Sequence, residues 1–167
     1  MILCAHGDAG FLNETNSRSG AGAHIFLSEN DLFPRFNGAI LSIAQIIKFV
    51  MASSAKSELA ALFVMAREMI PHWQTLMAMG WPQPKIPIQT DNSTATGVTN
   101  KTIVPHRAKM MYVRLWWLWC RGSQDQFRYY WDVGSKNWAD YHTKHHLDTY
   151  REAHRISHAG IWDMVGT

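Results

Sequence analysis

The 167 residues predict a mixed α/β fold, an N-terminal antiparallel meander continued by parallel strands joined through helical crossovers. Three features carry the prediction. Consecutive N-terminal segments alternate apolar and polar residues, a capped stretch at helical period follows, and strand-like and helix-like stretches then alternate. With 47% hydrophobic and 17% charged residues, the composition suits one domain that buries a core without cross-links.

Each element has a local reason. Ile2, Cys4, His6 and Asp8 fall on one face and Leu3, Ala5, Gly7 and Ala9 on the other, as in a strand. Residues 11–20 are turn-rich, and residues 21–28 and 39–50 read as two further strands joined around Asn30, Asp31, Pro34 and Gly38. Ser53 and Ser54 offer N-caps for a helix that Pro71 is expected to stop, with Leu59, Leu62, Phe63, Ala66, Met69 and Ile70 at helical spacing. Glu58 falls at the edge of that apolar arc, where a carboxylate is costly to bury unless something pairs with it. Residues 71–85 read as a loop and residues 86–90 as a short strand ending at Asp91, with Asn92, Ser93 and Thr94 as caps for the next helix. A helix after Pro105 is expected to run through Arg121 until Gly122 and Ser123 break it. Residues 127–133 alternate as a fifth strand, Gly134 and Ser135 turn, and Lys136 onward looks helical.

Net charge is +3, unevenly spread: Lys101, Arg107, Lys109, Arg114, Arg121 and Arg128 face only Asp125 in residues 101–128. Such a segment suits an anionic partner such as nucleic acid, and equally a solvated helix face. Cys4 and Cys120 form neither a disulfide framework nor a zinc spacing and read as core residues of a reducing compartment. The N-terminus lacks a secretory pattern, and the apolar run at residues 115–120 is too short to span a bilayer. An intracellular location with no membrane partner is expected, cytoplasm and nucleus not being separable.

Acidic residues occupy telling places. Asp8 lies on the first strand, Glu58 in the first turns of the first helix, Asp91 at the end of the fourth strand and Asp140 near the last helix start. Strand ends and adjacent helix starts converge on one crevice in open α/β sheets, so these four carboxylates are a candidate cluster. Four carboxylates together cannot all ionise unaided, because like charges raise one another's pKa. Two divalent cations resolve that conflict, and oxygen-only ligands favour Mg²⁺ or Mn²⁺, the usual device for in-line displacement at phosphorus.

The local sequences sharpen this. His6-Gly7-Asp8-Ala9, the run from Ser54 to Leu62, Thr90-Asp91-Asn92-Ser93-Thr94-Ala95 and the run from Asn137 to His146 resemble, as an ordered set, the ribonuclease H domain of copia-type LTR retrotransposon polyproteins. The resemblance implies a five-stranded mixed sheet, a three-stranded antiparallel meander plus two parallel strands, flanked by helices. It also implies hydrolysis of the RNA strand of an RNA–DNA hybrid during reverse transcription. Asp8, Glu58, Asp91 and Asp140 match the ligands of two Mg²⁺ ions, replaceable by Mn²⁺, and Asp8 would bridge both. An integrase of the same superfold would place its helical Glu last, whereas Glu58 lies between the first two aspartates.

Residues 1–146 are then the catalytic domain and residues 147–167 an extension of unknown role. The unit is expected to belong to a longer polyprotein, with its reverse transcriptase domain as partner. Many cellular ribonucleases H place a mobile His before the last aspartate, and residues 131–139 contain none, so His142 or water would substitute. Asn92 and Ser93 would meet substrate backbone or ribose, besides capping a helix, while Arg107, Lys109, Arg114 and Arg121 would meet phosphate. His142, His145, His146, His154 and His158 suit polar helix surface better than zinc, because no cysteine accompanies them. His6 reads as a satisfied core histidine, and Trp116, Trp117 and Trp119 as core or partner interface. Asp132 reads as a surface residue, with support of the site as the alternative. The rival reading is a decayed or domesticated module that keeps the fold and binds nucleic acid or a partner; retention of all four acids favours the enzyme.

Overall fold

A computed structural model describes residues 1–103 and 111–144. Strands β1 (Ile2–Glu14), β2 (Arg18–Ser28) and β3 (Ala39–Ile47) form the expected meander. Helix α1 (Ser54–Ala78) crosses to β4 (Ile86–Thr90), and helices α2 (Ser93–Thr99) and α3 (Tyr112–Ser123) lead to β5 (Phe127–Trp131). The strand order is β3-β2-β1-β4-β5, with β1, β2 and β3 antiparallel and β4 parallel to both β1 and β5. This is the five-stranded mixed sheet expected, with one central strand, β1, joining the meander to the parallel pair.

The alternation of β1 decides its two faces. Leu3 and Ala5 join Ile25, Leu62, Met65, Met69, Ile88, Leu115 and Leu118 in the main core beneath the helices. Ile2 and Cys4 face the other way with Phe26. That second face is covered by aromatic stacking, in which Phe36 lies on Trp138 at 4.0 Å and on His24 at 5.0 Å. Among the described residues no helix is long and apolar enough to cross a membrane.

Four local expectations are corrected. Residues 11–20 are mostly strand: β1 and β2 pair as far as Glu14 and Arg18, and a bulge with Leu12 at φ 54° absorbs the turn-forming residues within the ladder. Pro71 does not stop α1, which runs on to Ala78. Its missing N–H and ring clash cost about 3 kcal/mol, and the packing of Trp73 and Leu76 against the core outweighs them. Residues 134–142 form two 3₁₀ turns, Gly134–Lys136 and Trp138–His142, the second packed on β1 and β2, where the sequence predicts a longer helix. Cys4 is buried, but Cys120 is exposed on the outer side of α3, since Leu115 and Leu118 take its buried positions. The start of the helix expected after Pro105 and the extension at residues 147–167 lie outside the described residues.

Candidate active site

Parallel pairing of β1 and β4 places His6 beside Gln89, which brings Asp8, two residues on, level with Asp91 at the carboxyl end of β4. Glu58 comes from the first turns of α1. Ser53 caps that helix by accepting from Lys56 N–H, and Ser57 ties it to β2 through a 3.0 Å hydroxyl contact with Ser19. One carboxylate oxygen from each of Asp8, Glu58 and Asp91 lies within 4.8 Å of the others. These three, with Asp140, Asn92, Thr143 and Lys144, line a cleft of about 410 Å³.

The cluster is costly in electrostatic terms. Burial pushes the Glu58 carboxyl up to about 9, and Asp8 and Asp91 push it the same way, against hydrogen bonds from Ala9 N–H (3.3 Å) and the Thr90 hydroxyl (3.5 Å). Burial likewise raises Asp8 to about 6, opposed by the Thr143 hydroxyl and reinforced by Asp91 and Asp140. Asp91 is raised by burial and by Asp140. An oxygen-only set of acids that repel one another in a partly dry cleft fits divalent cations, which would neutralise the charge that the protein leaves uncompensated.

Asp140 reaches the cleft from the second 3₁₀ turn, which is bound to the sheet at several points. The Asn137 amide donates to Gly7 O (2.9 Å), and its carbonyl accepts from Ala139 N–H (3.1 Å). Trp138 N–H donates to His6 Nδ1 (3.3 Å). The Thr143 hydroxyl donates to Asp8 Oδ2, the Asn13 amide donates to Thr143 O, and the Lys144 ammonium pairs with Asp140 Oδ1. Thus Asp8 and Asp140, 132 residues apart in sequence, share one hydrogen-bonded frame.

Other expected residues have distinct places. Asn92 caps α2, accepting from Ala95 N–H at 2.9 Å, and also lines the cleft. Ser93 is exposed in the first turn of α2. The Arg114 guanidinium lies over Phe49 (4.8 Å), and that of Arg121 over Trp117 (5.0 Å), both away from the cleft lining. His142 packs its ring near Tyr141 with its Cβ against Gly22, and lies outside the cleft lining. Asp132 pairs with Lys136. His6 is buried and accepts through Nδ1, while Nε2 has no hydrogen-bond partner among the described residues, so it is only half satisfied there. Trp117 and Trp119 pack against the core, and Trp116 is exposed. Arg107, Lys109, His145, His146, His154 and His158 lie outside the described residues. Asn13, Asn137, Thr143 and Lys144 are not singled out by the sequence; the run from Asn137 to His146 contains three of them, but only folding shows what they touch.

The sheet order β3-β2-β1-β4-β5, with Asp8 in the middle of β1 level with the end of β4, is that of the ribonuclease H fold, and solved structures share it. The N-terminal RNase H domain of a Mycobacterium tuberculosis protein aligns with TM-score 0.57 at 16% identity, covering 86% of this chain and 96% of that one. An RNase H1 isolated from compost, LC11-RNase H1, aligns with TM-score 0.58 at 12% identity over 90% of this chain and 98% of its own. The same enzyme in complex with an RNA/DNA hybrid aligns equally well, at 10% identity over 89% and 99%. No family model and no curated protein matches the sequence.

Proposed function

We propose that the protein is a ribonuclease H, an endonuclease that hydrolyses the RNA strand of RNA–DNA hybrids with two divalent ions. The observation that carries this reading is the convergence of Asp8, Glu58 and Asp91 within 4.8 Å, beside Asp140, at the carboxyl end of β4. Bound Mg²⁺ or Mn²⁺ would activate the attacking water and stabilise the leaving 3′-oxygen. The chain's own residues supply the frame. Asp8, Glu58, Asp91 and Asp140 would hold the ions, Thr143 and Ala9 N–H orient Asp8 and Glu58, and Asn92 presents its amide to the substrate at the cleft edge. With no histidine in residues 131–139 and His142 outside the cleft lining, water would supply the proton of the leaving group.

The ordered motifs support a copia-type retrotransposon origin, with the reverse transcriptase domain of the same polyprotein as partner and an RNA–DNA hybrid as substrate. The test is incubation of the chain with a labelled hybrid and Mg²⁺ beside Asp91→Asn. Wild type is expected to cut the RNA strand, leaving 3′-hydroxyl ends, and the variant to lose at least about a hundredfold, the upper end of what an outer partner of a metal site costs. Equal cutting by both, or none by either, overturns the catalytic reading; hybrid binding without cutting identifies the non-catalytic module instead.

A further inference from the structure

Within the cleft, Lys144 is the sole cationic side chain among the described lining residues, and it is paired with Asp140. We infer that Lys144 is an exchangeable countercation of the acid cluster, which holds Asp140 in the ion-free protein and must withdraw before a divalent ion takes that carboxylate. This deepens the metal-binding reading above and rests on it.

The geometry separates two ion positions. Asp8, Glu58 and Asp91 converge without Asp140, so one ion can enter that triad while Lys144 stays on Asp140. A second ion that needs Asp140 competes with the ammonium. The root of Lys144 is fixed, because Thr143 before it is bound to Asp8 and anchored by Asn13. Its side chain is 61% exposed, so the long stem is free to swing the charge away. A partly exposed pair at this spacing is weak enough to be displaced, and its charge acts on Asp140 more than on Asp8 and Asp91, so it opposes an ion at Asp140 more than one in the triad. Lys144 thereby sets the affinity of the second ion below that of the first.

The test is calorimetric titration of the metal-free chain with Mn²⁺ in the absence of substrate, for wild type, Lys144→Met, Lys144→Arg and Asp140→Asn. Wild type is expected to show a tight and a weak event, and Asp140→Asn to lose the weak one. Lys144→Met should tighten the weak event by about three- to tenfold, from loss of the ion pair and of repulsion between neighbouring cations, and leave the tight one within about twofold. Lys144→Arg should behave as wild type. A single event in wild type that becomes two in Lys144→Met also supports the inference. An unchanged weak event in Lys144→Met, a single event in both, or an Arg variant matching the Met variant overturns it and leaves the metal site standing. If no protein takes up ion, the metal reading fails and this inference falls with it.

Discussion

Glu58 combines an ionisable carboxyl with burial one turn into a helix, and its hydrogen bonds from Ala9 and Thr90 only partly offset the cost of ionising it there. In the ion-free protein its carboxyl keeps a proton to about 9, against an ordinary value of 4.5, and Asp8 to about 6 against 3.8. Over those intervals the native state binds more protons than the unfolded chain. Stability is therefore greatest below the ordinary values and falls as pH rises through the window from 4.5 to about 9. Thermal melts in EDTA should show a melting temperature declining across this window. Glu58→Gln should flatten the decline above about pH 6, where Asp8 is already ionised, and Mg²⁺ should oppose it in wild type. A melting temperature that rises with pH in EDTA would contradict the assignment.

The second 3₁₀ turn is the element on which the site depends most, and Gly22 of β2 is what admits it. A Cβ there would lie 2.7 Å from Ala139 O and 2.7 Å from Thr143 Cγ2, so backbone carrying Asp140 and Thr143 would have to move. Gly20, two residues away, has its nearest contact at 3.5 Å, the Glu14 carboxylate. Gly22→Ala is expected to destabilise by about 1–3 kcal/mol in urea unfolding, as overpacking does, and to lower cleavage of the hybrid; Gly20→Ala should change neither appreciably. Helix α1 carries the opposite lesson. Pro71 breaks the local rule, but helical continuation keeps Trp73 and Leu76 against the core, so tertiary packing overrides a strong local stop signal.

At the scale of the whole molecule, the acid cluster is set apart from the arginines of α3. The acids collect at one cleft, while Arg114 and Arg121 lie over Phe49 and Trp117. Ions neutralising the acids would leave a surface more positive than the net charge of +3 conveys. Hybrid affinity should fall as salt rises, with each phosphate contact adding about 0.9 to the logarithmic slope. If Arg114 and Arg121 reach phosphate, as the sequence leads one to expect, Arg114→Gln with Arg121→Gln should reduce that slope by nearly two units. An unchanged slope in a binding titration against salt would assign both to packing on the aromatic rings.

The element order and the candidate acids Asp8, Glu58, Asp91 and Asp140 are legible in the sequence. Strand alternation, the Ser53 cap and the turn after Thr90 are local, and each expresses itself within a few residues. It did not determine the length of the β1–β2 hairpin, the passage of α1 through Pro71, the exposure of Cys120 or the frame around Asp140. Folding alone brings Asn13, Asn137 and Thr143 to their partners across the sheet and carries Lys144, but not His142, into the acidic cleft. The physical reason is distance along the chain: Thr143 and Asp8 are partners 135 residues apart, and no local pattern encodes a contact that exists only once β1 and the second 3₁₀ turn have been brought together.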